Sequence, residues 1–94
     1  MKNESTNITA TFTNKQTGQR WYLSENRRFK VRLDDSSAAL IIEDGVDPYK
    51  MIDGRIFNDR SKRDITEGWH AEKYLLPLVE SARRAEAQLA AAGK

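Results

Sequence analysis

The chain has 94 residues, 38% of them hydrophobic and 32% charged, with a formal net charge of +2, one histidine and no cysteine. That length fits one domain with a modest core, and the lack of cysteine excludes a disulfide framework, a thiol nucleophile and a Cys-ligated zinc site. Nowhere does an apolar run approach the length of a membrane span, so a soluble, cytoplasmic protein held by packing alone is expected.

Residues 1–6 read as a flexible N-terminus and residues 7–58 as a β-sheet region. Asn7 to Asn14 alternates, with Ile8, Ala10 and Phe12 on one face and Thr9, Thr11 and Thr13 on the other. Lys15-Gln16-Thr17-Gly18 is a turn that sets Trp21 opposite Phe12 and Leu23 opposite Ala10. Glu25-Asn26-Arg27 is a second turn, with Asn26 suited to a left-handed conformation, and it pairs Leu23 with Phe29 and Trp21 with Val31. In Arg28-Phe29-Lys30-Val31-Arg32-Leu33 cations and apolar residues alternate without a break, the mark of a strand with one oily and one cationic side.

Asp34-Asp35-Ser36-Ser37 then returns the chain, with Leu33 opposite Ala38, Val31 opposite Leu40 and Phe29 opposite Ile42. This register predicts a core of Phe12, Trp21, Phe29, Val31, Leu40 and Ile42, and an opposite face carrying Arg20, Tyr22, Arg28, Lys30, Arg32, Ile41 and Glu43. Asp53-Gly54, between Met51-Ile52 and Arg55-Ile56, is a two-residue hairpin signature and predicts an extra short hairpin at 50–57.

From Asp64 the period becomes helical. Asp64 and Glu67 have the spacing of a capping box, and Leu75, Leu78, Val79, Ala82, Ala85 and Leu89 form one stripe, with Ile65 and Trp69 extending it upstream. Pro77 predicts a kink and Gly93 a stop. The expected fold is therefore α+β: a four-stranded antiparallel meander, with the possible added hairpin, packed against a C-terminal helix over 64–92.

No catalytic motif emerges, and neither a cofactor nor a metal site is expected. His70 stands alone, Ser36 and Ser37 have no nearby base, and the five glycines lie singly, so no phosphate-cradling loop is present. Charge is distributed in blocks. Residues 27–33 carry four cations and no acid, whereas residues 34–59 carry seven carboxylates against Lys50 and Arg55.

Two binding functions follow. In the first, the acidic surface of Asp34, Asp35, Glu43, Asp44, Asp47 and Asp53 contacts a basic, nucleic-acid-associated host protein, carboxylates occupying sites that otherwise hold phosphates. In the second, Arg20, Arg28, Lys30 and Arg32 contact the phosphates of single-stranded nucleic acid while Tyr22 stacks on a base. The first is preferred because the net charge is small and Glu43 falls opposite Arg28 on the sheet. Either a monomer or a homodimer is compatible with this sequence.

The order of a four-stranded meander and a helix is similar to that of Whirly and PUR modules, and the resemblance implies single-strand binding. In size, charge blocks and lack of catalytic motifs the chain also resembles small phage-made inhibitors of host defence, anti-CRISPR proteins among them. That likeness implies a protein target.

Overall fold

The computed structural model describes residues 7–25, 27–35 and 37–92. The expectations placed on residues 1–6, Asn26, Ser36 and Gly93 lie outside them. Six strands follow one another in a single antiparallel meander: β1 (Ile8–Thr13), β2 (Arg20–Ser24), β3 (Phe29–Asp35), β4 (Ala38–Glu43), β5 (Tyr49–Ile52) and β6 (Arg55–Asn58). The hairpin at 50–57 is thus part of the same sheet, giving six strands where four were the minimum expected. Asp53 and Gly54 both take positive φ, 53° and 80°, which matches the twist that a two-residue hairpin requires.

The first hairpin has the expected register, Phe12 facing Trp21 and Ala10 facing Leu23. Asn14 closes it: its Oδ1 accepts from the Gln16 and Thr17 amides at 2.9 and 3.3 Å, and its carbonyl accepts from Gly18 N at 2.7 Å. The next two junctions each differ from expectation by one residue. Tyr22 pairs with Val31 and Leu23 with Lys30, because the turn takes four residues, with Arg27 at φ 62° and its amide bonded to the Ser24 carbonyl at 3.0 Å. Ser24 Oγ accepts from Phe29 N at 3.1 Å and holds that wider turn shut. On the other side Phe29 faces Glu43, Val31 faces Ile41 and Leu33 faces Ala39, with a bulge between Leu33 and Asp35.

These two slips turn β3 over relative to its neighbours. Phe29 and Val31 are buried under the helix as expected, but Tyr22, Ala39, Ile41 and Glu43 join them there. Phe12, Trp21, Leu40 and Ile42 lie on the other side of the sheet, none of them in the buried core. Tyr49, Met51 and Ile56 complete the sheet's contribution to the core. The pleat explains the exchange: a one-residue shift in pairing sends every side chain of a strand to the opposite face.

The helix begins later than the capping-box reading predicted. Asp64 forms a bridge with Phe57, Ile65 N donates to the Ile56 carbonyl at 2.8 Å, and Thr66 Oγ1 accepts from Ile56 N at 2.8 Å. Residues 64–66 therefore cover the outer edge of β6. Asp64 and Glu67 do not cap a helix but grip Arg55, at 2.6 and 2.9 Å. The Arg55 guanidinium, helped by Thr66, holds the Asp64 carboxyl well below the usual carboxylate range.

A π-helical turn, Ala71–Leu75, leads into α1, Leu76–Ala92. Leu76 N bonds to the Ala71 carbonyl, five residues back. Pro77 accounts for this position, since it lacks an amide and its ring would clash with the carbonyl four residues before it, and a widened turn relieves that clash. Ala71, Leu75, Leu78, Val79 and Ala82 are buried on the sheet and Ala85 packs beside them. Trp69 and Leu89, assigned to the same stripe by spacing, are 65% and 41% exposed and lie outside the core. No helix among the described residues is long and apolar enough to cross a membrane.

Candidate binding surface: the open face of the sheet

In a meander, turns alternate between the two ends of the sheet, and this divides the acidic residues. Asp34, Asp35 and Asp53 lie at the end that holds the β3–β4 and β5–β6 turns, whereas Glu43, Asp44 and Asp47 lie at the opposite end. Asp35 closes β3, and its side chain lies outside the described set. Asp34 is paired with Arg32 at 2.8 Å, and Asp47 with Arg60 at 3.6 Å. Asp44 and Asp53 are exposed.

Glu43 is no surface group. It is 6% exposed and receives three partners: Arg28 Nε at 3.4 Å, Tyr49 Oη at 3.3 Å and His70 Nε2 at 3.0 Å. His70, which stands alone in the sequence, thus ties the start of the helix to β4. Tyr74 packs against His70 at 5.1 Å and against Phe29 at 6.5 Å, extending the contact into the core. Such a buried carboxylate is tolerated because its lone pairs are filled, and the cluster joins β4, β5, the β2–β3 turn and the helix start.

Burial first, and then the Glu43 carboxylate, push the Tyr49 phenol up from 10 to about 12. A phenol whose folded pKa exceeds its unfolded value contributes stability below pH 10, and that contribution is lost as pH rises from 10 through 12. Melting temperatures followed across that window should fall more steeply in the wild type than in Tyr49→Phe. Parallel curves would show that Tyr49 does not ionise on unfolding.

The basic set is also divided. Tyr22 is buried beneath the helix and cannot stack on a ligand. Arg28 is engaged with Glu43. Arg20 lies near Gln19, Tyr22 and Glu86. Lys30 and Arg32 remain on the open face, and there the aromatic beside them is Trp21: Lys30 Nζ is 5.3 Å and Arg32 Cζ 5.7 Å from its ring centre.

The pairing extends this site across the sheet. Arg32 faces Leu40, Leu40 faces Lys50, and Lys50 faces Phe57, so one row runs from Trp21 on β2 to Phe57 on β6. Four strand spacings separate its ends, about 19 Å. At the β6 end Lys50, Ile52, Phe57, Asp59 and Lys62 line a shallow cleft of about 320 Å³. Leu23 and Ile42 flank Lys30 in the adjacent row. The strand residues of this face include the cations Lys30, Arg32, Lys50 and Arg55 and one carboxylate, Asp34; Arg32 is paired with Asp34, and Arg55 with Asp64 and Glu67 beyond the strands.

Trp21, Lys50 and Phe57 were not assigned to a binding site by the sequence. The available signal was that β2 and β4 carry large apolar residues at both parities, which leaves one set without a core position. Chemically the face offers flat aromatic surface, an aliphatic floor and spaced cations. Among the described residues no three His, Cys, Asp or Glu side chains converge as a metal site would require. Comparison with protein-family models, curated proteins and solved structures finds no match for this chain.

Proposed function

We propose that this protein is a non-catalytic module that binds single-stranded nucleic acid on the open face of its sheet. The observation that supports it most is the Trp21, Lys30 and Arg32 group, an aromatic ring with two cations within 6 Å on a face that carries one strand carboxylate. Bases stack on rings of this kind whatever their identity, and the cations neutralise the phosphates between them. Lys30 must leave the ring for a base to enter. An exposed cation–π contact is worth about 0.5–1 kcal/mol and base stacking about 1–3 kcal/mol, so the exchange is favourable, and the displaced ammonium gains a phosphate.

The chain has two tryptophans, and Trp69 stands exposed at the helix start, packed edge-on against Tyr74. Trp69→Phe therefore leaves Trp21 as the sole tryptophan reporter. Titrating this variant with oligothymidylate should quench its emission, with an affinity that falls as salt rises. Unchanged emission together with no retention of the labelled oligonucleotide at low salt would refute the reading.

One observation favours a protein partner instead. Val46 is 46% exposed at the tip of the β4–β5 turn, between Asp44 and Asp47. An apolar residue framed by carboxylates suits a basic protein surface, in keeping with an inhibitor of host nucleic-acid machinery. If that reading holds, Asp44→Lys with Asp47→Lys weakens partner binding while the open-face cations are dispensable.

A further inference from the structure

The two edges of the sheet are built differently. Beyond β6 the chain returns to cover it, through the Phe57–Asp64 bridge and the bond from Ile65 N to the Ile56 carbonyl. Among the described residues no strand lies beside the outer side of β1, where the sheet order begins. Natural edge strands are usually guarded by charge, proline or irregularity. Asn7 to Asn14 contains no charged residue, no proline and no glycine. Its one guard lies at its start, where the register shifts between Ile8 and Ala10 and Ile8 N is taken by Ser81 Oγ of the helix at 2.9 Å.

Beyond that bulge the strand is regular, and its hydrogen-bonding sense can be read. Asn14 N donates inward to the Gln19 carbonyl at 2.8 Å. Antiparallel pairs alternate, so Phe12 also bonds inward to β2, and the amides and carbonyls of Thr11 and Thr13 point away from the sheet. Phe12 itself is 42% exposed on the open face.

From this edge we infer that two copies of the chain pair through β1, antiparallel and centred on Phe12, to form a two-fold dimer with a continuous sheet. In that register Thr11 of one copy exchanges both backbone bonds with Thr13 of the other, and the converse pair does the same. Phe12 meets Phe12 across the axis in a non-hydrogen-bonded pair, where side chains approach most closely. A two-fold interface places identical residues near one another, and this strand brings no like charges together, which is why a second copy suits it. The phenyl rings bury the large apolar side chain that the register leaves uncovered on β1. Trp21 and Phe57 stay outside the contact, so the dimer presents both nucleic-acid faces on one side of the joined sheet.

The chain contains no native cysteine, and a non-hydrogen-bonded pair has Cα atoms about 4.5 Å apart, within the range a disulfide spans. Phe12→Cys should therefore form an intermolecular disulfide under mild oxidation, whereas Phe57→Cys, far from the axis, stays reduced. By sedimentation the wild-type protein should reach twice the chain mass as concentration rises. Thr11→Lys places like charges beside the axis and should return it to monomer with an unchanged circular dichroism spectrum. Thr11→Pro, which removes an outward amide that the monomer's own ladder does not use, is the second variant and should do the same. A wild type that remains monomeric at high concentration, or a dimer that persists in both Thr11 variants, overturns the inference. Oligonucleotide binding by the monomeric Thr11→Lys variant would leave the proposed function standing.

Discussion

Changing Lys30, Arg32 and Lys50 together to glutamate should abolish oligonucleotide binding while leaving the fold intact. All three lie on strands but point away from the helix, and none contributes to the buried core. Lys30 and Lys50 are replaced without stranding a buried partner, and Arg32 leaves Asp34 and Gln19, both of which are exposed. For a single strand the log–log dependence of affinity on salt has a slope of roughly −0.7 per phosphate neutralised, so removing three cations one at a time should flatten it by about 2 in total. Trp21→Ala should cost about 1–3 kcal/mol without altering that slope, because stacking releases no counterions. Tyr22→Phe, the aromatic indicated by the sequence, should bind as the wild type does, since Tyr22 is covered by the helix. Retained affinity in the triple variant, measured at low salt, would move the site elsewhere.

Phe29→Ala should destabilise the protein by about 3–5 kcal/mol, the cost of emptying a well-packed aromatic site. Phe29 is 3% exposed and stacks on Tyr74 of the helix with ring centres 6.5 Å apart. Its amide is also the donor to Ser24 Oγ that closes the widened β2–β3 turn. Truncation would open a cavity at the junction of β3 and the helix, and a folded domain of this size has only about 5–15 kcal/mol to lose. Leu89→Ala, on the same helix but 41% exposed, should change stability by no more than about 0.5 kcal/mol. Chemical denaturation of the two variants gives the comparison directly. Equal losses would mean that the helix does not lie across β3 as described.

How much of this was legible in the sequence varies by element. The Lys15 to Gly18 turn and the Asp53-Gly54 hairpin were readable because their residues demand one local geometry, and both registers follow from it. β3 was readable as a strand because its cations and apolar residues strictly alternate. The helical stripe from Leu75 to Ala82 was readable for the same reason at another period. The faces of β2 and β4 were not. Trp21-Tyr22-Leu23 and Leu40-Ile41-Ile42 are apolar at successive positions, so either register buries a plausible set, and pattern alone cannot choose.

That choice decided the candidate site. With β3 turned over, Tyr22 and Glu43 left the exposed face for the interior, and Trp21 took the place beside Lys30 and Arg32. Asp64 and Glu67 show the same limit at short range. Their spacing satisfies a capping box, but Arg55, nine and twelve residues away, donates from Nε to Asp64 and from Nη2 to Glu67, and the chain between them pairs with β6 instead.

The sequence by itself determined an antiparallel meander followed by a helix, with cations alternating along β3, because those features depend on side-chain period and on turn residues that act within a few positions. Only the tertiary structure decided which side of each strand the helix covers, that Glu43 is buried against Tyr49 and His70, and that aromatic and cationic side chains share the open face. These outcomes depend on where four-residue turns and bulges place one strand against another, and on which of two apolar sets packs better beneath Leu75, Leu78 and Val79. That comparison is made between distant residues, and no local pattern records its result.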